Sequence, residues 1–217
     1  MLACIVPIKA FTSAKTRLAG LLDEDQRAAL ARVSAHRVLK AAEACGAIGL
    51  RLAVVEDEAT AEFARMYFFE PLLRPELWGQ SAAVDAGFDE ARARGATAVM
   101  TVSADVPLTR PLDLLQLSER AGLTLVTDRE GTGTNALHLA PPRPFRLHFG
   151  PGSLDQHRRE AAAEGIEVHL LDNARLRLDL DSPADVDALE KIGPEGREVL
   201  VQAGQLRLDA EKQLHGA

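Results

Sequence analysis

Ala98-Val99-Met100-Thr101-Val102-Ser103-Ala104-Asp105-Val106-Pro107 is the stretch on which the reading of the fold turns. Its first five residues form a near-continuous apolar run, as expected of a strand covered on both faces, and a short polar turn ends it before a proline. A strand covered on both sides needs helices, and helical patterns flank it. Upstream, Ser81 is read as the cap of a helix through Val84, Phe88 and Ala91 that stops at Gly95. Downstream, a helix begins near Pro111, and residues 123–127 read as the next strand.

The same alternation runs back to the start of the chain. Leu2–Ile8 is a short apolar run. A helix is predicted over residues 24–45, with Asp23 and Gln26 placed for a capping box and Gly46 placed to end it. Residues 50–55 follow as a strand and 59–66 as a helix. Strands alternating with helices of this length predict an α/β domain with a mostly parallel, Rossmann-like central sheet. The rhythm changes after Asp128, where Gly131-Thr132-Gly133-Thr134 precedes a strand over 135–140. Pro141, Pro142 and Pro144 break regular structure before a helix, two strands and a last helix opening at Ser182-Pro183. Residues 194–217 are charged and helical in composition, and are read as an appended helix for packing or dimerisation.

Composition narrows the function. The chain has 217 residues, 47% hydrophobic and 26% charged, so it suits one globular domain that buries roughly 70% of its unfolded surface. Lys plus Arg total 25 against 32 Asp plus Glu, a net charge of −7, which argues against a general nucleic-acid binder or an anionic-membrane surface. Cys4 and Cys45 are the two cysteines, which leaves no disulfide scaffold or cysteine zinc site and fits a reducing compartment. With no basic leader and no run of 18 apolar residues, the expectation is a cytoplasmic protein.

Chemistry is concentrated in a few places. In Leu176-Arg177-Leu178-Asp179-Leu180-Asp181, apolar and polar residues alternate. That predicts a strand with Asp179 and Asp181 on one face, about 6.5 Å apart along the chain. Same-face carboxylates repel unless a cation joins them, and hard oxygen ligands suit magnesium or manganese. Asp181 equally fits the turn before the helix at Ser182-Pro183, where Ser182 and Asp185 are spaced as a capping box. Asp105 stands just beyond the carboxyl end of a buried strand, the edge at which open α/β sheets bind ligands. Convergence of the three acids would make a divalent-metal site.

Anion recognition has three candidates, one of them the loop over residues 131–135, which could present backbone amides and hydroxyls. Phe149-Gly150-Pro151-Gly152-Ser153 leads into a helix over 154–164, with Ser153 and Gln156 read as a capping box. Glycines there allow close backbone approach, and a helix N-terminus offers free N–H groups. Near the N-terminus, Lys9, Lys15 and Arg17 follow the first strand and suit phosphate oxygens. The chain contains no Gly-x-Gly-x-x-Gly, no Walker loop and no Gly-x-Ser-x-Gly. The six histidines lack metal-ligand spacing, and His157, the one near a candidate site, is read as a surface position of its helix.

Together these blocks resemble one family. Val6-Pro7-Ile8-Lys9 with Ala14-Lys15-Thr16-Arg17-Leu18, Ser103-Ala104-Asp105-Val106-Pro107-Leu108, Gly131-Thr132-Gly133-Thr134-Asn135, Phe149-Gly150-Pro151-Gly152-Ser153 and Leu178-Asp179-Leu180-Asp181-Ser182-Pro183 occur in the order of the 2-phospho-L-lactate guanylyltransferases and their phosphoenolpyruvate-using relatives. These belong to the molybdopterin-guanylylating type of nucleotidyltransferase. The resemblance covers about residues 2–191, with the two glycine blocks its most specific parts. It departs at Gly79-Gln80-Ser81-Ala82-Ala83, where the family pattern is Gly-Leu-Asn-Ala-Ala.

The resemblance implies a nucleotidyltransferase domain, expected over residues 1–193; the helical extension over 194–217, read from composition, lies outside it. It implies that GMP from GTP is joined to a three-carbon phospho-acid, 2-phospho-L-lactate, phosphoenolpyruvate or 3-phospho-D-glycerate, with release of pyrophosphate, in biosynthesis of the deazaflavin coenzyme F-420. Asp105, Asp179 and Asp181 would hold two magnesium ions, with Asp105 and Lys15 catalytic. Lys9, Lys15, Arg17, Gly79 and Ser81 would serve the nucleotide, and Thr134, Gly150 and Ser153 the acceptor. A homodimer and coupling to the next transferase of the coenzyme pathway are further expectations. The competing readings are another molybdopterin-type nucleotidyltransferase and a non-catalytic nucleotide-binding module, which would have no need of three metal-binding acids.

Overall fold

The computed structural model describes residues 1–76 and 79–215, and the side chains of its last helix as far as Gly204. In chain order the elements are β1 (Leu2–Ile8), α1 (Glu24–Ala44), β2 (Ile48–Val55), α2 (Glu58–Arg65), β3 (Glu70–Leu73), α3 (Gly79–Ala93), β4 (Ala98–Val102) and α4 (Pro111–Leu117). They continue with β5 (Gly122–Thr127), β6 (Thr134–Ala140), α5 (Ser153–Ala163), β7 (Val168–Leu170), α6 (Pro183–Lys191) and α7 (Pro194–His215). Two short 3-10 turns, Phe11–Ser13 and Thr16–Leu18, bridge β1 and α1.

The strands form one seven-stranded sheet in the order β3-β2-β1-β4-β6-β5-β7. Every neighbouring pair is parallel except those made by β6, which runs against both β4 and β5. The sheet is mostly parallel, as the alternating pattern predicts.

Period-two geometry sends successive residues of β1 into different cores. Cys4, Val6 and Ile8 pack with Ala35 and Val38 of α1, Ala61 of α2 and Leu114 of α4. Ala3 and Ile5 face the other way, with Val84 and Phe88 of α3 and Ala161 of α5. A third apolar cluster joins Leu30 and Val33 of α1 to Leu178, Leu180, Leu189 and Val199, so α6 and α7 pack against the sheet domain through α1. At Gly196 a Cβ would collide with the Leu189 carbonyl, which explains glycine where α7 passes α6. Residues 216–217 of the expected helical extension lie outside the described residues.

Several expectations are corrected. Residues 176–181 are an irregular loop rather than a strand, because their backbone groups bond to side chains and turns: Asn173 Oδ1 accepts from the N–H groups of Arg175 and Leu176. Their alternation survives as alternating burial, with Leu176, Leu178 and Leu180 inside. α3 begins at Gly79, so Ser81 lies within its first turn rather than at its cap. β3 was not expected: it is a four-residue edge strand carrying Pro71, and short edge strands with proline leave little pattern.

One buried histidine gives a test of acid stability. His138 of β6 stands opposite Met100 and Thr124, 2% exposed, with Nδ1 unpartnered. Burial pulls its pKa down from 6.5 to about 4. The unfolded chain therefore takes this proton first as pH falls, so the native state loses stability below the unfolded pKa, down to the folded one. The loss reaches about 2 kcal/mol near pH 4.5. His138→Leu is expected to shed that share: between pH 7 and about 4.5, urea titrations should move by about 2 kcal/mol in the variant's favour. Parallel pH profiles for the two proteins would refute it.

Candidate active site

The carboxyl ends of β1, β2 and β4 meet at one edge of the sheet, where a cleft of about 200 Å³ opens to solvent. Lys9, Lys15, Glu56, Gly79, Gln80, Ser103, Asp105 and Asp181 are among the residues that line it. Asp105 enters from the turn after β4; Asp179 and Asp181 come from the loop ahead of α6. One carboxylate oxygen from each lies within 4.8 Å of the other two. Chain separation of more than 70 residues is closed at this point by the fold.

Backbone bonds hold the acids in place. The Leu180 N–H donates to the Asp105 carbonyl at 3.1 Å, tying the acidic loop to the end of β4. Asn135 Nδ2 lies 3.2 Å from each of three acceptors, the carbonyls of Leu176 and Arg177 and Asp179 Oδ1. Asp185 in α6 accepts from the N–H groups of Asp181 and Ser182 and from the Ser182 hydroxyl; the expected capping box is formed, with the Ser182 N–H to Asp185 carboxylate bond as one of its halves. Its other oxygen meets Arg129 at 2.9 Å. Sequence reasoning did not single out Arg129, and it took Asn135 as the end of a possible anion-binding loop rather than as the anchor of the acids. The signal for Asn135 was a polar residue closing a glycine-threonine block just where an apolar strand starts.

Lys15 supplies the cation. Its side chain is 6% exposed, and Nζ sits 2.9 Å from Asp105 Oδ2 and 3.3 Å from Asp181 Oδ1. The residue is left-handed, with φ 58°, a conformation that costs an ordinary side chain roughly 1 kcal/mol. Burial alone would lower its pKa, but the charges of Asp105 and Asp181 carry it above the usual lysine value. Burial likewise pushes Asp105 upward, and the Lys15 ammonium outweighs it, holding the carboxyl below its ordinary range. Asp179 has no such cation among the described residues. Burial first, then Asp105, raise its pKa to about 7.

Asp105 Oδ1 is buried and has no hydrogen-bond partner among the described residues. A buried carboxylate oxygen left bare beside two more carboxylates fits a hard divalent cation, which would satisfy it and relieve the repulsion raising Asp179.

Arg17 reaches Asp181 at 3.4 Å from a side chain 70% exposed, and Lys9 and Gly79 border the cleft. Ser81 is engaged elsewhere: its Oγ accepts from the Phe149 N–H at 2.9 Å.

Thr134, Gly150 and Ser153 form a second group, at the start of β6 and of α5. The Asp128 carboxylate accepts from the N–H groups of Thr132 and Gly133 and shapes the loop into β6; a Cβ on Gly133 would strike that carboxylate. Ser153 Oγ donates to Thr134 Oγ1 over 3.3 Å. The expected Ser153–Gln156 capping box is absent, because Gly152 is the N-cap and the Ser153 hydroxyl is drawn to Thr134. His157 is a further correction. It is fully buried rather than on the surface, between Phe145, His148 and Phe149, because α5 turns this face towards the start of β6. The two groups adjoin through one peptide unit, since Thr134 faces Ser153 while Asn135 holds Asp179.

Among the described residues, no helix is long and apolar enough to cross a membrane. A family model described as guanylyl transferase, CofC-like, matches residues 2–200. A phosphoenolpyruvate guanylyltransferase of Rubrobacter xylanophilus is 37% identical over 195 residues, covering 87% of this chain and 93% of the relative. A 2-phospho-L-lactate guanylyltransferase of Methanothrix thermoacetophila is 29% identical, covering 96% of this chain and 92% of the relative. In fold, the chain is similar to a crystal structure from Desulfovibrio desulfuricans described as a nucleotide-diphospho-sugar transferase. The TM-score is 0.76, over 96% of this chain and 97% of that one at 12% identity. A nucleotidyl transferase from Methanothermobacter gives a TM-score of 0.62, over 88% of this chain and 97% of that one at 14% identity.

Proposed function

The chain belongs to the CofC-like guanylyl transferase family, and we propose that it joins GMP from GTP to a three-carbon phospho-acid, phosphoenolpyruvate or 2-phospho-L-lactate. Pyrophosphate is released, and the product serves biosynthesis of coenzyme F-420, passing to the next transferase of that pathway. The observation that carries this reading is the convergence of Asp105, Asp179 and Asp181 at the carboxyl edge of the sheet, where Asp105, Asp181 and the Lys15 paired with both line a cleft.

The chemistry asks for charge control and alignment. A phosphate oxygen of the acceptor attacks the α-phosphorus of GTP. A P–O bond forms there, the bond to the β-phosphate bridging oxygen breaks, and its electron pair leaves with pyrophosphate. The acceptor phosphate is largely ionised near pH 7, so no strong general base is needed. What must be overcome is repulsion between two polyanions. Magnesium, held by Asp105, Asp179 and Asp181, would screen that repulsion and polarise the phosphoryl oxygens. Lys15 is placed to exchange its carboxylate partners for phosphate oxygens, and Lys9 and Arg17 extend positive charge along the cleft. Gly150 and the start of α5 offer backbone approach and amide dipoles to the acceptor, with Thr134 and Ser153 beneath them.

Pyrophosphate release decides the matter, measured with GTP and magnesium against phosphoenolpyruvate, 2-phospho-L-lactate, 3-phospho-D-glycerate and no acceptor, with pyrophosphatase coupled to pull the reaction. Release with phosphoenolpyruvate or 2-phospho-L-lactate, and its loss on chelation, is the expected result. Silence with both from folded protein that binds GTP would overturn the proposal.

A further inference from the structure

His157 is a buried imidazole with both ring nitrogens engaged. The backbone N–H of His148 donates to Nε2 at 3.0 Å, so Nε2 is the unprotonated nitrogen. In a neutral ring the proton then sits on Nδ1, which lies 3.1 Å from Thr134 Oγ1 and donates to it. Ser153 Oγ donates to the same oxygen. Thr134 Oγ1 accepts twice and keeps one hydroxyl proton to give, with neither of those partners as its acceptor.

We propose that His157 is the positioning residue of the acceptor cradle: as a neutral Nδ1–H ring it saturates Thr134 Oγ1 as an acceptor and so turns Thr134 into an obligate O–H donor to an anionic oxygen of the phospho-acid. The inference rests on the reading that Thr134, Gly150 and Ser153 receive the acceptor. The same ring also fixes the cradle's frame. It stacks on Phe145 with centroids 5.9 Å apart and meets Phe149 edge-on at 5.4 Å, so its two hydrogen bonds join the start of β6 to the segment leading into Gly150. Burial, with a smaller contribution from His148, lowers its pKa to about 4, which keeps the ring neutral at physiological pH. A hydroxyl whose donor role is fixed favours an anion over a ligand that can only donate, which suits a cradle serving phosphate or carboxylate.

Two substitutions separate the roles of the nitrogens. Asparagine places an amide N–H near the Nδ1 position, whereas glutamine reaches the Nε2 position and leaves Thr134 without its donor. With phosphoenolpyruvate as acceptor, or 2-phospho-L-lactate if only that is used, His157→Gln is expected to raise the acceptor KM about tenfold with the KM for GTP unmoved. His157→Asn should restore most of that loss. A long-range 1H–15N spectrum of imidazole-labelled protein at pH 7 should show the Nδ1–H tautomer for His157, whether or not turnover is seen. An Nε2–H ring, or equal KM changes for both substrates, would overturn the inference. Thr134→Val tests the underlying reading separately: an unchanged acceptor KM there would remove the cradle itself, while a raised one beside a wild-type-like His157→Gln would remove only the role of His157.

Discussion

Asp105→Asn is expected to lower turnover by roughly 10²–10³-fold while the protein stays folded. The amide has nearly the shape of the carboxylate, its oxygen can still accept from Lys15 Nζ, and the backbone bond from the Leu180 N–H to the Asp105 carbonyl is untouched. What disappears is one full negative charge from the group of three acids, and with it the bare Oδ1 best placed to meet a cation. Pyrophosphate release and a thermal melt read the two halves of the prediction. A third readout follows from electrostatics. Because Asp105 helps to raise Asp179, whose pKa stands near about 7, the Asp179 titration should move downward in the variant. Wild-type turnover, or an unfolded protein, would end the assignment.

Asn135→Ala is expected to do nearly as much from a residue that has no charge. Its amide is the shared donor for two loop carbonyls and for Asp179 Oδ1, all at 3.2 Å. Removing it leaves buried acceptors without a partner, which lowers stability by about 2 kcal/mol, and frees Asp179 to wander from its neighbours. Turnover should fall by roughly 10–100-fold, the scale typical of residues that orient metal ligands. Loss of the amide also removes a bond that favours the Asp179 carboxylate, so its pKa should climb above about 7, opposite to the Asp105→Asn result. The opposed titrations distinguish a positioning role from a general weakening of the site. A variant with unchanged melting and unchanged turnover would dismiss it.

Much of the architecture was legible because it depends on short-range patterns. Buried runs such as Leu2–Ile8 and Ala98–Val102 and the capping pairs Asp23–Gln26 and Ser182–Asp185 are written in neighbouring residues. Reading failed where a distant partner overrides the local pattern. Residues 176–181 alternate like a strand, yet Asn135 claims their carbonyls, and the sheet never receives them. Ser153 is spaced for a capping box, yet a buried threonine from another element takes its hydroxyl. The burial of His157 was invisible for the same reason: the wall that covers it comes from residues 145–149, an irregular segment with no periodic signal. The acids themselves were named from motif and resemblance, but their approach to within 4.8 Å is a property of the packed chain.

The reversal of β6 carries a consequence for how such an enzyme could change over evolutionary time. Because that one strand starts at the edge where its antiparallel neighbours β4 and β5 finish, Thr134 and Asn135 arrive at the site side by side and point to opposite tasks. A shift of register by a single residue would lose one task either way: moved forward it sets Ala136 against the acidic loop in place of the amide, and moved back it sets Gly133 against Ser153 in place of the hydroxyl. On the reading that Thr134 serves the acceptor, adjustment at the head of β6 is therefore tethered to the geometry of the acids. Residues 150–152 are bound in another way, since Gly150 and Gly152 hold φ of 109° and 74°, which a side chain would strain.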